Sequence, residues 1–506
     1  MELFTILCAF FLFLFMLVKF LNPDRVKVPA QTLPPGPTPL PIIGNLHQLL
    51  GSNTHHILKE LASQYGPLMH LQLGQVSTLI VTSPEVAEEF MKTRDIIFAN
   101  RPQLFAGRIL RYNCTNIGFS PFNDYWRQLR KICTMELLSS KRVQSFQSIR
   151  EEEVLNLVES ISSNWGSTIN LSRRICSLAY GITARAAFGK RSKYQEEFIS
   201  LIEEVVKIAA GFTIADMYPS VKIIQIISEM SPKIKRLHKN IDAILENIVD
   251  DHKEKNTKTR GTDEEAKDDL VDVLLNVQKS GEFGAPLTNN NIKAVILDIF
   301  SAGSESVSTT VEWTMSEMLK NPDIMKRAQA EVREVFGRRR NVDESSLHEL
   351  KYLQAIIRET LRLHPPGPLL VPRESSEQCE VNGYIVPVKS RVIVNAWAIG
   401  RDSKYWTEAE KFIPERFLDS QVDYHGKDFK YIPFGAGRRI CPGISYALAN
   451  VELPLAQLLF HFDWKLPNEL KLEQLDMTEA GFALTVRRKN DLYLDPIPYS
   501  RSIFSN

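Results

Sequence analysis

Residues 434–443 read FGAGRRICPG, and this run restricts the fold more than any other part of the chain. Glycines at 435, 437 and 443 let the backbone curl and approach a flat partner closely. Arg438 and Arg439 supply cations that can balance a buried negative charge. Cys441 is followed by Pro442 and a helical pattern through Ala447 and Leu459, so its sulfur stands just ahead of a helix N-terminus, where the dipole favours a thiolate. A lone cysteine in a polar loop is ordinarily an inert buried thiol. Curling backbone, cations and helix start together set Cys441 apart from that default as a candidate anionic thiolate ligand.

Helices surround that loop. Apolar residues recur at helical spacing over 84–92, 125–138, 150–165, 196–210, 234–253, 291–319, 322–336 and 350–363. Short β signals at 68–73 with 78–81, at 384–388 and at 392–396 predict small sheets on one side. The expected fold class is mainly α with small β-sheets. Of the 506 residues 44% are hydrophobic and 24% charged, enough to bury a large core, and no shift in composition divides the chain. The charged run 250–269 reads as a solvated loop, and the apolar stretch 221–227 reads as core in preference to a surface dipping into a membrane. With 61 basic and 60 acidic side chains, nothing predicts nucleic acid as a partner. The six cysteines, at 8, 114, 133, 176, 379 and 441, show no Cys-x-x-Cys spacing and read as reduced thiols of a cytosolic domain.

The N-terminus has its own constraint. Residues 3–21 are apolar apart from Thr5 and Lys19, and a helix of roughly 20 such residues spans the hydrocarbon layer. No basic start, an apolar run too long for a signal core and no small-x-small cleavage site favour an uncleaved anchor over a cleaved signal. Lys19, Arg25 and Lys27 on its C-terminal side predict that the body faces the cytosol. The following LPPGPTPLPIIGN excludes helix and predicts a stiff spacer. The expected organisation is an anchor over 1–24, a basic and proline-rich linker over 25–45 and a single domain over 46–506.

The pattern F-x-x-G-x-R-x-C-x-G, filled by Phe434, Gly437, Arg439, Cys441 and Gly443, resembles the haem-binding motif of the cytochrome P-450 family, and the resemblance extends over essentially the whole chain. It implies haem b with Cys441 as the axial iron ligand. Glu359 and Arg362 in ETLR resemble the family's E-x-x-R helix, and Arg416 in PERF its third member, a buried network bracing the haem-bearing core. By the same resemblance Trp126 and Arg130 of WRQLRK, with Arg373 and Arg439, would bind the haem propionates, a task suited to guanidinium groups. Exposed Arg127, Lys131, Lys141 and Arg142 would dock an acidic reductase.

SAGSES at 301–306 is similar to the family's distal segment. Ala302 and Gly303 would leave room for dioxygen, and Glu305 with Ser306 would form the acid–alcohol pair that delivers protons when the O–O bond breaks. A glycine in mid-helix costs about 1 kcal/mol against alanine, which favours a functional reason for Gly303. Ser306 departs from the threonine most members carry; it keeps the hydroxyl but loses the methyl that restricts its rotamer.

The substrate regions implied are 104–117, 367–371 and 481–484, with the distal helix; their residues Phe105, Ile109, Leu110, Ala302, Leu369, Leu370, Val371, Phe482 and Leu484 are chiefly apolar. The stretches GPLMHLQLG, NDYWRQLRKIC, LRLHPPGPLLVPRE and LAQLLFHFDWKLP look like the plant subfamily that oxidises terpenoids, with indole alkaloids as the neighbouring class. The expectation is an NADPH- and O2-dependent terpenoid hydroxylase of the endoplasmic reticulum membrane, single-pass. NADPH–cytochrome P-450 reductase would supply its electrons, with cytochrome b5 as a second donor. The alternatives are an indole-alkaloid hydroxylase or epoxidase, a haem-thiolate isomerase or dehydratase, and a non-enzymatic haem-binding protein.

Overall fold

One helix, Asn289–Lys320, forms the axis of the body. Thr288 and Asn291 close its N-terminus as a reciprocal capping box, which satisfies donors the first turn would otherwise leave open. Its sequence is apolar around most of its circumference, so neighbours must cover it on all sides. They do: Leu171–Phe188, Leu270–Ser280, Pro322–Phe336, Lys351–Leu363 and Ile444–His461 all pack against it. The fold is seen in a computed structural model that describes all residues except 1–7, 14, 15, 17–32, 52, 190–194, 209–212, 230, 259–267, 282–286, 338–341, 468, 469, 482, 483 and 500–506.

The mainly helical class holds. Strands β1 (Leu68–Leu73) and β2 (Val76–Val81) form an antiparallel hairpin with Leu68 opposite Val81. The strands β3 (Ile169–Asn170), β4 (Arg373–Glu374), β5 (Cys379–Val381), β6 (Tyr384–Val386), β7 (Arg391–Val394), β8 (Phe462–Lys465) and β9 (Tyr493–Pro498) follow in chain order. They assemble into a four-stranded sheet of order β1-β2-β7-β4, a three-stranded sheet β3-β9-β8 and the pair β5-β6.

Several expectations need amending. The helix expected over 125–138 is α-helical only over Asp124–Ile132 and continues as one π-turn, Cys133–Leu137. Thr54–Tyr65, Leu171–Phe188 and Leu270–Ser280 are helices the periodicity did not single out; Leu171–Phe188 is buried on nearly every side, so it carries no polar face to set a period. The charged run 250–269 is not all loop, since the helix Pro232–Lys258 extends into it and Asp269 at its end caps Leu270–Ser280 while accepting from buried His252 at 2.9 Å. The stretch 221–227 is not core. Within the helix Lys222–Glu229, Ile224 packs inward, whereas Ile223, Ile226 and Ile227 lie on the surface with Ile214.

The proline-rich segment is docked on the body. The His70 amide donates to Pro35 O at 2.9 Å, the Asn45 amide to Gln72 O at 2.6 Å, and the Gln72 amide to Asn45 Oδ1 at 2.8 Å, so residues 33–45 line the edge of β1. Most of the expected anchor at 3–21 lies outside the described residues; among the described ones no helix is long and apolar enough to cross a membrane.

Glu359, Arg362 and Arg416 meet as expected. Arg362 donates from Nε and Nη2 to the two oxygens of Glu359 at 2.7 and 2.8 Å, and Arg416 Nε donates to Oε1 at 3.0 Å. The remaining Arg362 protons reach the carbonyls of Gly400, Ala409 and Lys411, and the Ile413 amide also donates to Glu359. The helix Lys351–Leu363 is thereby tied to the turn Pro414–Phe417, which leads into the cysteine loop. A buried charge cluster tolerates no missing member. Glu359→Gln, which keeps the shape and removes the charge, is expected to cost about 3–5 kcal/mol in chemical denaturation; a loss below about 1 kcal/mol would show that the cluster does not brace the fold.

Candidate active site

The cysteine loop is set by backbone geometry first. Gly437 has φ +68°, and a Cβ there would lie 2.1 Å from Met91 O and 2.7 Å from Asp95 Oδ1, so only glycine lets the loop press against the segment 89–95. The Cys441 amide donates to Phe434 O at 3.0 Å, closing the loop, and the Gly443 amide donates to Cys441 Sγ at 3.3 Å. Gly443 is also the N-cap of the helix Ile444–His461, so the sulfur stands at a helix start as expected. Burial pushes the Cys441 thiol up; the Gly443 N–H and the charge of Arg130 pull the other way. Phe434 packs edge-on against Tyr424, with ring centroids 5.6 Å apart.

Beside the loop lies a concentration of buried positive charge. Arg373 donates to Asp95 Oδ1 and to Ala436 O, each at 2.7 Å. Arg439 donates to Ala99 O at 2.7 Å, Ser120 O at 2.6 Å and Ile117 O at 3.4 Å. Arg101, which sequence reasoning missed, donates to the carbonyls of Gly118, Val371 and Pro372. The Arg130 side chain is half-buried and makes no hydrogen bond or ion pair among the described residues. Burial, with Arg373 and Arg130 nearby, pushes Arg439 down to about 9. Asp95 is the one carboxylate that pairs with Arg373 and Arg438 here. Such a group of cations around a cysteine sulfur fits a ligand that brings its own carboxylates, as haem does through its propionates. Trp126 Nε1 donates to Ile117 O at 3.0 Å, and the Arg439 guanidinium lies over its ring, 4.0 Å from the centroid.

The opposite wall is the central helix. From Asn291 to Leu319 every residue is buried except Ala302, Gly303 and Ser306, three positions on one face of adjoining turns. The bare side of Gly303 faces the ring of Tyr446, whose Cε1 would lie 3.3 Å from an added Cβ, so this glycine serves the close approach of Ile444–His461 and makes no groove by itself. Ser306 Oγ donates to Ala302 O at 2.7 Å. Glu305 points elsewhere: it is buried, receives two bonds from Arg487, and accepts from Tyr180 Oη at 3.3 Å. Acid and alcohol are neighbours in the chain with separate partners.

Val371 and Leu484 pack with Leu104, Cys114 and Phe119 in one apolar cluster, which joins three of the expected substrate regions. Leu370 lies beside the cysteine loop, 3.9 Å from where a Cβ on Gly435 would be, whereas Leu369 packs toward β1. Phe105 and Leu110 are buried core, with Ile109 packed partly buried against the same cluster. Phe482 lies outside the described residues. Sequence reasoning also missed Asp298, which accepts from Arg111, from Asn116 Nδ2 at 2.7 and 2.8 Å, and from the Gly118 amide at 2.9 Å, fastening the segment 111–118 to the central helix one turn before Ala302. An aspartate in an apolar helix was the available signal.

Comparison with known proteins agrees with this geometry. The family model described as Cytochrome P450 matches residues 34–492. Tabersonine 16-hydroxylase 2 of Catharanthus roseus is 57% identical over 500 residues, covering 98% of this chain and 97% of that protein. Tabersonine 6,7-epoxidase isoform 1 of the same plant is 54% identical, covering 99% of each. Among solved structures, a zebra fish cytochrome P450 with abiraterone superimposes with a TM-score of 0.75 at 26% identity, covering 88% of this chain and 99% of that one. Fold, cysteine loop and relatives agree: the chain belongs to the cytochrome P450 family and is a monooxygenase.

Proposed function

We propose that this protein hydroxylates or epoxidises an indole alkaloid with NADPH and O2, in place of the terpenoid that the sequence stretches suggested. The observation that carries the reading is full-length similarity to enzymes named tabersonine 16-hydroxylase and tabersonine 6,7-epoxidase, at 57% and 54% identity. The apolar wall of Leu104, Cys114, Phe119, Val371 and Leu484 suits a rigid, largely hydrocarbon polycycle. Names that specify hydroxylation and epoxidation also favour oxygen insertion over rearrangement or simple haem carriage.

Haem b, held through Cys441 and by Arg130, Arg373 and Arg439 at its propionates, would supply dioxygen activation with electrons from NADPH passed on by the reductase. The chain's own residues would then do the rest. Trp126 keeps Arg439 in plane. Ala302, small and exposed on the central helix, would leave room for dioxygen. Ser306 Oγ, now donating to Ala302 O, can turn its proton outward by a χ1 rotation that no methyl group opposes. Glu305, one residue earlier, would, once released from Arg487, take up a proton from solvent and pass it on to that hydroxyl. Residues 3–21 would anchor the chain in the endoplasmic reticulum membrane with the body in the cytosol, and the outward isoleucines 214, 223, 226 and 227 would give that body a second apolar contact with the lipid.

Membranes carrying the protein, titrated in turn with tabersonine and with sesquiterpene scaffolds, test the substrate class. A low-to-high spin shift with the alkaloid, followed by NADPH-dependent product, is the expected result; a shift with the terpene alone returns the assignment to terpenoids. Ser306→Ala is expected to raise hydrogen peroxide release and lower product per NADPH by about tenfold, short of the roughly hundredfold at which the range for losing a general acid–base group begins. Unchanged coupling would remove Ser306 from the relay.

A further inference from the structure

Two adjacent histidines converge on one carboxylate oxygen at a place that shares no residue with the cysteine loop or its arginines. His55 and His56 stand in the first turn of the helix Thr54–Tyr65, and Glu479 comes from near the other end of the chain. His55 Nε2 lies 2.9 Å and His56 Nε2 3.0 Å from the same oxygen, Glu479 Oε2. The three ligand atoms all lie within 4.8 Å of one another. Side chains at adjacent helix positions point roughly 100° apart, so the helix alone does not bring both rings to one point.

The three side chains are carried on fixed pieces of structure. Asn395 Nδ2 donates to His55 O at 2.8 Å. Glu479 faces Arg488 in a short antiparallel bridge, flanked by the Ala480 amide donating to Arg487 O at 2.8 Å and the Lys489 amide to Thr478 O at 2.9 Å. The Trp397 ring packs on both imidazoles, its centroid 4.9 Å from that of His55 and 4.0 Å from that of His56, and its buried Nε1 has no acceptor among the described residues. His55 is buried and the Glu479 side chain is 9% exposed, whereas the His56 side chain is 41% exposed and gives a route in from solvent.

Donor chemistry narrows the ligand. Two imidazole nitrogens and a carboxylate oxygen make three of the four positions of a tetrahedral zinc site, with the fourth left to water. Ligand atoms about 2 Å from such an ion stand roughly 3.3 Å apart, so the two short separations here need widen by only a few tenths of an ångström. A water in the fourth position is an acceptor of the kind that the Trp397 N–H lacks. Surrounding charge narrows the ligand further. Lys59 and Arg401 stand over the Trp397 ring, 5.2 and 4.6 Å from its centroid, and share Glu410. With two cations to one carboxylate alongside, charge alone would not hold a dication, so Mg2+ or Ca2+ is disfavoured against an ion that bonds to imidazole. A second group of this kind among the described residues, His252 with Asp269 and Asp272, has both aspartates engaged in the capping box of Leu270–Ser280 and no exposed member through which an ion could enter.

We propose that His55, His56 and Glu479 form a binding site for one Zn2+ ion, separate from the haem iron, which clamps the helix Thr54–Tyr65 to the segment 478–480. The ion replaces the two N···O contacts by two nitrogen–metal bonds and one oxygen–metal bond, and each imidazole binds in its neutral form with the proton on Nδ1. The adjacent histidines are plain in the sequence, but the third ligand lies 423 positions beyond His56.

The test uses the untagged, full-length, haem-loaded protein, stripped with a chelator and dialysed against Zn2+ alone. Saturable binding of about one zinc per haem is expected, as the single three-ligand site requires. The X-ray absorption spectrum at the zinc edge, which the haem iron does not enter, should show two imidazoles, oxygen neighbours and no sulfur. His56→Ala removes the exposed ligand, and Glu479→Gln keeps the shape and a hydrogen-bond acceptor but loses the carboxylate. Each should bind zinc at least about a hundredfold more weakly, since losing even an outer partner of a ligand costs roughly 10–100-fold. Zinc should also raise the unfolding temperature of the wild type and leave that of His56→Ala unmoved. No saturable zinc, equal binding by the wild type and both variants, an unfolding temperature that zinc does not raise, or a spectrum with sulfur or fewer than two imidazoles overturns the proposal, leaving the three side chains as a hydrogen-bonded fastener only. The wild-type spectrum decides the matter if a variant does not fold.

Discussion

Burying several guanidinium groups around one cysteine is the constraint on which the rest of this structure depends. Burial, with the charges of Arg439 and Arg373, pushes Arg101 toward the neutral form, burial with those of Arg373 and Arg130 does the same to Arg439, and Asp95 is shared between Arg373 and Arg438. The backbone compensates in part, with carbonyls of Ala99, Gly118, Ser120, Val371, Pro372 and Ala436 turned toward these donors. Carbonyl dipoles satisfy hydrogen bonds but do not cancel charge. A ligand with two carboxylates and a metal that takes up a thiolate answers both needs together, and this is why the loop, the helix Asp124–Ile132 and the segment 99–120 converge on Cys441.

That convergence has to be held rigid, and two devices hold it. The Glu359–Arg362–Arg416 cluster ties a helix from one part of the chain to the turn before the cysteine loop, with every donor matched. Asp298 does the same on the other side, binding the segment 111–118 to the central helix one turn from Ala302. The central helix is therefore fixed at the level where three of its residues open to the site, and its remaining side chains can be spent on packing.

The local code carried much of this. The cysteine loop, the long central helix and the strands β1 and β2 could be read from residue type and spacing, since each rests on interactions within one segment or on a motif of tight spacing, whereas the Glu359–Arg362–Arg416 cluster, joining positions 57 apart, was legible only through resemblance to a known family. Helix Leu171–Phe188 escaped because burial on nearly all faces erases periodicity, and the isoleucines of Lys222–Glu229 were misassigned because an apolar run looks alike whether it faces the core or the surface. The roles of Gly303 and Trp126 depended on which neighbour stood opposite, Tyr446 in one case and Arg439 in the other. Arg487 and Arg101 were illegible for the same reason: their partners are remote in sequence, and a single arginine carries no local mark of its pairing.

The central claim is that buried positive charge around Cys441 is built for a dianionic macrocycle, and reconstitution of haem-depleted protein tests it most directly. Thermal unfolding would be compared after loading with haem and with haem dimethyl ester, which keeps the iron and the ring but has no carboxylates. Strong stabilisation by haem and a markedly smaller one by the ester is the result this account predicts. Equal stabilisation by the two would contradict it, because the arginines would then contribute nothing through the ligand's charge.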